Sequence, residues 1–79
     1  MSFYEKASKS SDAHLAELKG GGLRISAIDS GDRESLVRFQ PIALEAYEHQ
    51  HEGYEIIHPH KSSIYSGNLY DSLVLKLTD

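Results

Sequence analysis

Four of the five histidines in this 79-residue chain lie within twelve consecutive positions. They form two pairs, each with one residue between its members, and glutamates are interleaved among them. The residues concerned are His49, His51, His58 and His60, with Glu45, Glu48, Glu52 and Glu55. Imidazole titrates near neutral pH and is the commonest metal ligand in proteins. This cluster could therefore bind a metal ion, transfer protons or respond to pH.

The chemistry open to the cluster depends on its secondary structure. On a helix over residues 42–51, His49 and His51 point about 200° apart and cannot chelate one ion together. On a hairpin that turns at residues 52–53, alternate residues share a face and potential ligands come together. The hairpin would make the chain a metal-binding protein or small metalloenzyme with a divalent ion such as zinc. Its ligands would be His49, His51, Glu55 and His58.

The spacing His49-x-His51-x-x-x-Glu55 resembles the first metal motif of the cupins, over residues 49–57. Cupins are small β-barrels whose metal ligands include two histidines at this spacing and a following glutamate. The resemblance implies a strand through the histidines and a bound metal. The family's second motif, a further histidine from a later strand, is not matched by His58 or His60. Because the residues at 43–46 are strong helix formers, a helix over 42–51 is the preferred prediction.

Residue patterns also predict the elements that would position this cluster. Ser2 and Glu5 have the spacing of a capping box, and apolar residues follow at helical spacing. This pattern predicts a first helix that ends at the three glycines 20–22. The helix begins either near Ser2 or near Asp12, and the second choice leaves residues 1–10 as a mobile arm.

Alternating apolar residues and turn formers predict the remaining elements. Pro41 cannot donate a hydrogen bond to a sheet, so it is predicted to end a strand and precede a helix. The predicted elements are strands over 23–27 and 36–40, a helix over 42–51, and strands over 54–58 and 69–77 with a turn at 66–68. The fold class is therefore α+β: one small domain over residues 1–79, order α-β-β-α-β-β, with the helices on one face of an antiparallel sheet.

Composition narrows the class of protein. Eight basic residues against twelve acidic ones give a net charge of −4, and cysteine is absent. Disulfides and thiolate zinc sites are therefore excluded, and direct nucleic-acid or membrane binding is not expected. No apolar run is long enough for a signal peptide or a membrane span, which predicts a cytoplasmic protein. So short a chain buries little surface, which favours association with a partner or with a second copy as a homo-oligomer.

Two sets of residues predict a partner-binding surface. On a helix, Glu45, Glu48 and Glu52 lie along one face, with Glu55 just beyond it. Tyrosine is over-represented, at five residues against two phenylalanines and no tryptophan, and it is favoured in recognition surfaces. The tyrosines assigned to this surface are Tyr47, Tyr54, Tyr65 and Tyr70. The alternative is that they cap a thin core.

The chain contains no complete catalytic motif. It has neither a phosphate-binding glycine loop of the Gly-x-x-x-x-Gly-Lys type nor a Gly-x-Ser-x-Gly turn. The sequence therefore predicts a non-catalytic protein without a cofactor that docks its acidic, tyrosine-containing surface onto a larger protein or nucleoprotein assembly. An inhibitor of the kind that phages and mobile elements use, competing for a basic site, is the specific form of this prediction. The metal-binding protein is the alternative.

Overall fold

The computed structural model describes residues 3–65 and 67–78 of the chain. Its elements are α1 (Phe3–Lys9), β1 (Ala13–Glu17), β2 (Gly22–Ala27), α2 (Arg33–Glu48), β3 (Tyr54–Lys61) and β4 (Tyr70–Leu77). The strands form one antiparallel sheet in the order β1-β2-β4-β3. The predicted α+β class and the order α-β-β-α-β-β are confirmed, although two of the elements are built from other residues than predicted.

The first strand is β1, within the segment for which a helix was predicted. That prediction is wrong over residues 13–17, where Ala13 and Leu15 pair with Ala27 and Ile25 of β2. Both residues point towards the core, whereas the alternate residues His14 and Ala16 point away from it. A run this short fits both the helical and the strand period, so pairing with β2 decides its structure.

The three glycines lie at the β1–β2 hairpin rather than at the end of a helix: Gly20 and Gly21 are in its turn, and Gly22 begins β2. The Leu18 amide donates to the Gly22 carbonyl at 2.9 Å, which closes the turn. Gly20 and Gly21 have φ angles of 93° and 90°. Residues with a Cβ rarely adopt these left-handed values, so the turn requires glycine at both positions.

The second helix, α2, begins nine residues earlier than the predicted helix, at Arg33 instead of Ile42. The strand predicted over residues 36–40 is therefore wrong. The buried residues of α2 recur every three or four positions, which is the helical period: Leu36, Phe39, Ala43 and Ala46. The alternation of Val37 with Phe39 suggested a strand, but Val37 is exposed on the opposite side of the helix.

Pro41 lies inside α2, where it was predicted to stop a strand. Proline has no amide hydrogen, so the carbonyl of Val37, four residues earlier, loses its helical hydrogen bond. Both residues are exposed to solvent. Water can therefore satisfy that carbonyl, and the helix continues because the opposite side of it is buried.

Both helices pack on one face of the sheet, over a single core. The largest fully buried side chains are those of Phe39, Ile25, Leu36, Leu73 and Leu75. Phe3 and Ala7 of α1 belong to the same cluster, and the Phe3 ring lies 5.6 Å from the Tyr54 ring. Residues 3–9, in the segment for which a mobile arm was the alternative, therefore form a helix that packs on this core. Ser2 of the predicted capping box lies outside the described residues.

The edges of the sheet are β1 and β3. β3 extends to Lys61, beyond its predicted end, and is irregular between Ile56 and His58 and between His60 and Lys61. Pro59 and these irregularities discourage pairing with another strand at this edge. The predicted turn at 66–68 includes Ser66, which lies outside the described residues. Neither α1 nor α2 is long and apolar enough to cross a membrane.

Candidate functional site

The first histidine pair lies at the C-terminal end of α2. The helix is confirmed as far as Glu48, whereas residues 49–51 form a turn. His49 Nδ1 lies 2.6 Å from Glu52 Oε2, and its Nε2 lies 4.0 Å from Glu45 Oε1. His51 is exposed, with a left-handed φ of 76°. This end of the helix therefore combines histidine and glutamate side chains in water.

The second histidine pair lies on β3. His58 pairs with Val74 and His60 with Ser72 on β4. His60 Nδ1 lies 2.6 Å from the Asp71 Oδ1, and the Asp71 side chain is largely buried. Because Val74 and Ser72 alternate with the core residues of β4, this pair belongs to the face of the sheet that the helices do not cover.

The structure therefore separates the residues of the metal hypothesis, His49, His51, Glu55 and His58. Among residues 3–65 and 67–78, no three histidine, aspartate or glutamate side chains are placed to hold one metal ion. The hairpin across residues 45–60 is also absent, since α2 extends to Glu48 and residues 49–51, where the cupin resemblance implies a strand, form a turn. The described strands form a four-stranded sheet with two edges rather than a barrel.

The predicted acidic residues have unequal surroundings. Glu45 is half-buried, and its carboxylate lies 2.7 Å from the Lys6 ammonium of α1. Glu52 is held by His49. Glu55 lies on β3 opposite Lys76 of β4. Glu48 is exposed and, among the described residues, has no ion-pair partner. Glu48 is therefore the carboxylate most readily available to a partner.

Negative charge accumulates at the C-terminal end of α2. Glu45 and Glu48 lie in its last turn, which contains no basic residue, and Glu52 follows in the loop. The C-terminal end of a helix already carries about half an elementary negative charge, so carboxylates are unfavourable there. Conflicts of this kind between local preference and sequence are expected at functional sites. The negative potential of this end is thus a candidate for contact with a basic partner.

Tyr54 is a core residue and not a contact residue. Its side chain is 3% exposed, and its hydroxyl donates to the Ala46 carbonyl of α2. Burial raises the pKa of Tyr54 to about 12, and the nearby Glu52 and Glu45 carboxylates act in the same direction. The side chain connects the start of β3 to the C-terminal end of α2, so it helps to position the acidic end of that helix.

The remaining tyrosines of the predicted surface are half-buried. The rings of Tyr47 and Tyr70 lie 5.9 Å apart. Burial raises the pKa of Tyr47, and the interaction with Tyr70 raises it further. The Lys61 ammonium lies 5.0 Å from the Tyr70 ring centre. The Tyr65 hydroxyl donates to the Gly31 carbonyl at 2.6 Å. These contacts connect Tyr47 of α2 to β4 and Tyr65 to the loop before α2, so part of each side chain is already in contact with the rest of the protein.

Sequence reasoning missed the solvent side of α2. Val37, Pro41, Leu44 and Glu48 recur every three or four residues along it, and we call these four residues the outer face of α2. Val37 is 44% exposed and Leu44 is 57% exposed. The spacing was visible in the sequence, but the predicted strand over residues 36–40 divided it between two elements. Once α2 is one helix, the four side chains form a single stripe.

The face of the sheet that the helices do not cover also carries a histidine from outside the cluster of four. His14 of β1 pairs with Ser26 of β2, which in turn pairs with Ser72 of β4, the partner of His60. A third histidine therefore shares this face.

No protein-family model, no curated protein and no solved structure matches the chain.

Proposed function

We propose that this chain is a non-catalytic interaction protein that binds a basic surface of a larger protein or nucleoprotein assembly through the outer face of α2. The observation that supports this proposal is the exposed apolar stripe of Val37, Pro41 and Leu44, which leads to Glu48, a carboxylate without an ion-pair partner among the described residues. Apolar side chains can fill the centre of an interface, while charged ones form its rim.

The arrangement of the stripe fits a known way in which helices bind. A helix that docks into a groove uses anchors at positions i, i+3 or i+4, and i+7. Val37 and Leu44 are seven residues apart, with Pro41 between them. Single exposed apolar residues are ordinary, but three in one line are the arrangement expected of such a contact.

Charge selects a basic partner. Near the N-terminal end of α2, the Arg38 guanidinium lies 3.5 Å from the Glu34 carboxylate, so these charges compensate each other. At the C-terminal end, within residues 3–65 and 67–78, Glu48 has no ion-pair partner and the partner of Glu52 is the His49 side chain. A positively charged groove with an apolar floor would complement this gradient and accelerate association. The narrower form of the proposal is an inhibitor of the phage or mobile-element type, which competes with nucleic acid for that groove.

The partner can be identified by a photo-crosslinking residue in place of Leu44, with the same residue in place of Glu17 as a control. Both positions are exposed, but Glu17 lies on β1, away from the outer face of α2. We expect a discrete adduct from position 44 alone in an extract of the source cells. Equal adducts from both positions would show that the outer face of α2 is not a specific contact.

With the captured partner purified, we expect the double variant Leu44→Ser and Glu48→Lys to bind at least about tenfold more weakly, a loss of about 1.4 kcal/mol. Exposed substitutions change stability by about 0.5 kcal/mol or less, so the variant should remain folded. Glu45 is left unchanged because a lysine there would repel Lys6 of α1. Isothermal calorimetry gives the affinities.

The matched control for that experiment is Glu17→Lys, which makes the same change in net charge on β1. It should bind as the wild type does. The proposal would be wrong if the control weakened binding as much as the double variant, since net charge alone would then explain the effect.

A competition experiment tests the narrower proposal of an inhibitor. A nucleic-acid ligand of the partner should displace the chain, and simultaneous binding of both would contradict competition.

A further inference from the structure

The face of the sheet opposite the helices carries polar and basic side chains in two rows. One row crosses all four strands through His14, Ser26, Ser72 and His60, and the neighbouring row contains Ala16, Arg24, Val74 and His58. Residues that pair directly across strands lie on the same side of a sheet. We call this side the helix-free face, and it lies opposite the core that α2 covers.

A groove of about 790 Å³ lies on this helix-free face. Its polar wall includes Arg24, Ser26, His58, His60, Asp71 and Ser72. Leu18, Ile28, Pro59 and Val74 add apolar surface. Sites for small molecules usually have about 300–1,000 Å³ and combine an apolar lining with a few polar groups. The groove therefore has the size and composition of a small-molecule site.

The charges in the groove favour an anion. Arg24 is exposed, and no described carboxylate forms an ion pair with it. Asp71 is the acidic residue of the lining, and its carboxylate is already held by His60 at 2.6 Å. The guanidinium thus remains without a counter-ion in the groove. Arginine presents a planar fork of N–H donors that suits the oxygens of a phosphate.

The Asp71 contact also orients His60. Because Nδ1 is occupied by the Asp71 carboxylate, Nε2 is the ring nitrogen left for a ligand. In the neutral ring that nitrogen accepts a hydrogen bond from a ligand hydroxyl, and in the protonated ring it donates one to an oxyanion. The Ser26 and Ser72 hydroxyls lie in the same lining. These groups suit an organic phosphate that also carries hydroxyl groups.

We propose that the groove on the helix-free face is a binding site for a small organic phosphate of nucleotide size, held by Arg24 through its phosphate. The histidines and serines would contact its hydroxyl groups, and the apolar residues would pack against a flat ring. This site is separate from the outer face of α2 and does not depend on the proposed function. A single small phosphate is favoured over a nucleic-acid strand because the chain's net charge of −4 repels a polyanion.

Titration of the whole chain with adenosine monophosphate, followed by amide NMR, tests this proposal. We expect saturable shifts centred on Arg24, His58, His60 and Ser72, weaker effects from adenosine, and competition by inorganic phosphate. Arg24→Gln should weaken binding about tenfold, because a hydrogen bond to a charged group is lost. The matched control is Arg33→Gln, an exposed arginine of α2 without an ion pair among the described residues, and it should bind normally. Unchanged melting temperatures would show that both variants are folded.

Three results would overturn the proposal. The first is the absence of saturable shifts with the nucleotide. The second is equal binding by Arg24→Gln and Arg33→Gln, or equal binding of adenosine and its monophosphate, because the phosphate would then not be the recognised group. The third is an affinity for single-stranded oligonucleotides that rises with their length above that of the mononucleotide, which would make the face a nucleic-acid surface.

Discussion

Replacing Phe39 by alanine is expected to lower the free energy of unfolding by about 3–5 kcal/mol. The ring is completely buried where α2 packs on the sheet, so the substitution removes apolar contacts and leaves a cavity. Domains as a class are stable by about 5–15 kcal/mol, and small ones have the thinnest cores. Each kcal/mol corresponds to about 4–8 °C in the melting temperature of a chain this short. Urea unfolding followed by circular dichroism measures the effect.

The control for this experiment is Val37→Ala, two residues away on the outer face of α2. Val37 is 44% exposed, so its truncation should change the free energy of unfolding by about 0.5 kcal/mol or less. The pair of variants distinguishes a helix from the strand that the sequence suggested, because Val37 and Phe39 lie on different sides of α2. Equal losses from both variants would contradict the packing of α2 described above.

The second half of the fold could be predicted from the sequence more closely than the first. Residues 54–58 and 69–77 were predicted as strands, and they lie almost entirely within β3 and β4. The pattern over residues 69–77 is long, and each of the two segments follows a turn-forming residue, Gly53 or Asn68. The first half contains shorter runs that satisfy two periods at once, so the pairing of β1 with β2 decides their structure. Pro41 added to the error because an interior proline is tolerated only where its lost hydrogen bond faces water.

The candidate site shows the same dependence on three-dimensional context. The sequence identified Glu48 and the two histidine pairs as unusual, and their residue types still define the chemistry of the two surfaces. It could not show that Glu45 forms an ion pair with Lys6 of α1, which lies 39 positions earlier in the chain. Nor could it place His14 beside the serines and histidines of the helix-free face, because that contact depends on the register of three strand pairs.

Tyr54 should make the stability of the protein fall in alkaline solution. Its pKa is about 12 in the folded chain, against about 10 for an unperturbed tyrosine, chiefly because it is buried, with Glu52 and Glu45 adding to the effect. The neutral phenol is thus favoured in the fold, whereas the unfolded chain releases its proton at lower pH. The stabilisation is complete below about pH 10 and is lost as the pH rises through about 12, with a total of about 2–3 kcal/mol.

The comparison of the wild type with Tyr54→Phe isolates this effect, since every other titrating group is common to both proteins. Near neutral pH the variant should be less stable by about 0.5–1.5 kcal/mol, because it lacks the hydroxyl that donates to the Ala46 carbonyl. As the pH rises from 10 towards 12 the wild type should lose this advantage, and the variant should become the more stable protein. Urea unfolding at successive pH values, with tyrosinate absorbance as a second readout, measures the difference. A difference that stays constant across this range would mean that Tyr54 ionises equally in the folded and unfolded chain. The burial of Tyr54 between β3 and the acidic end of α2 would then be contradicted.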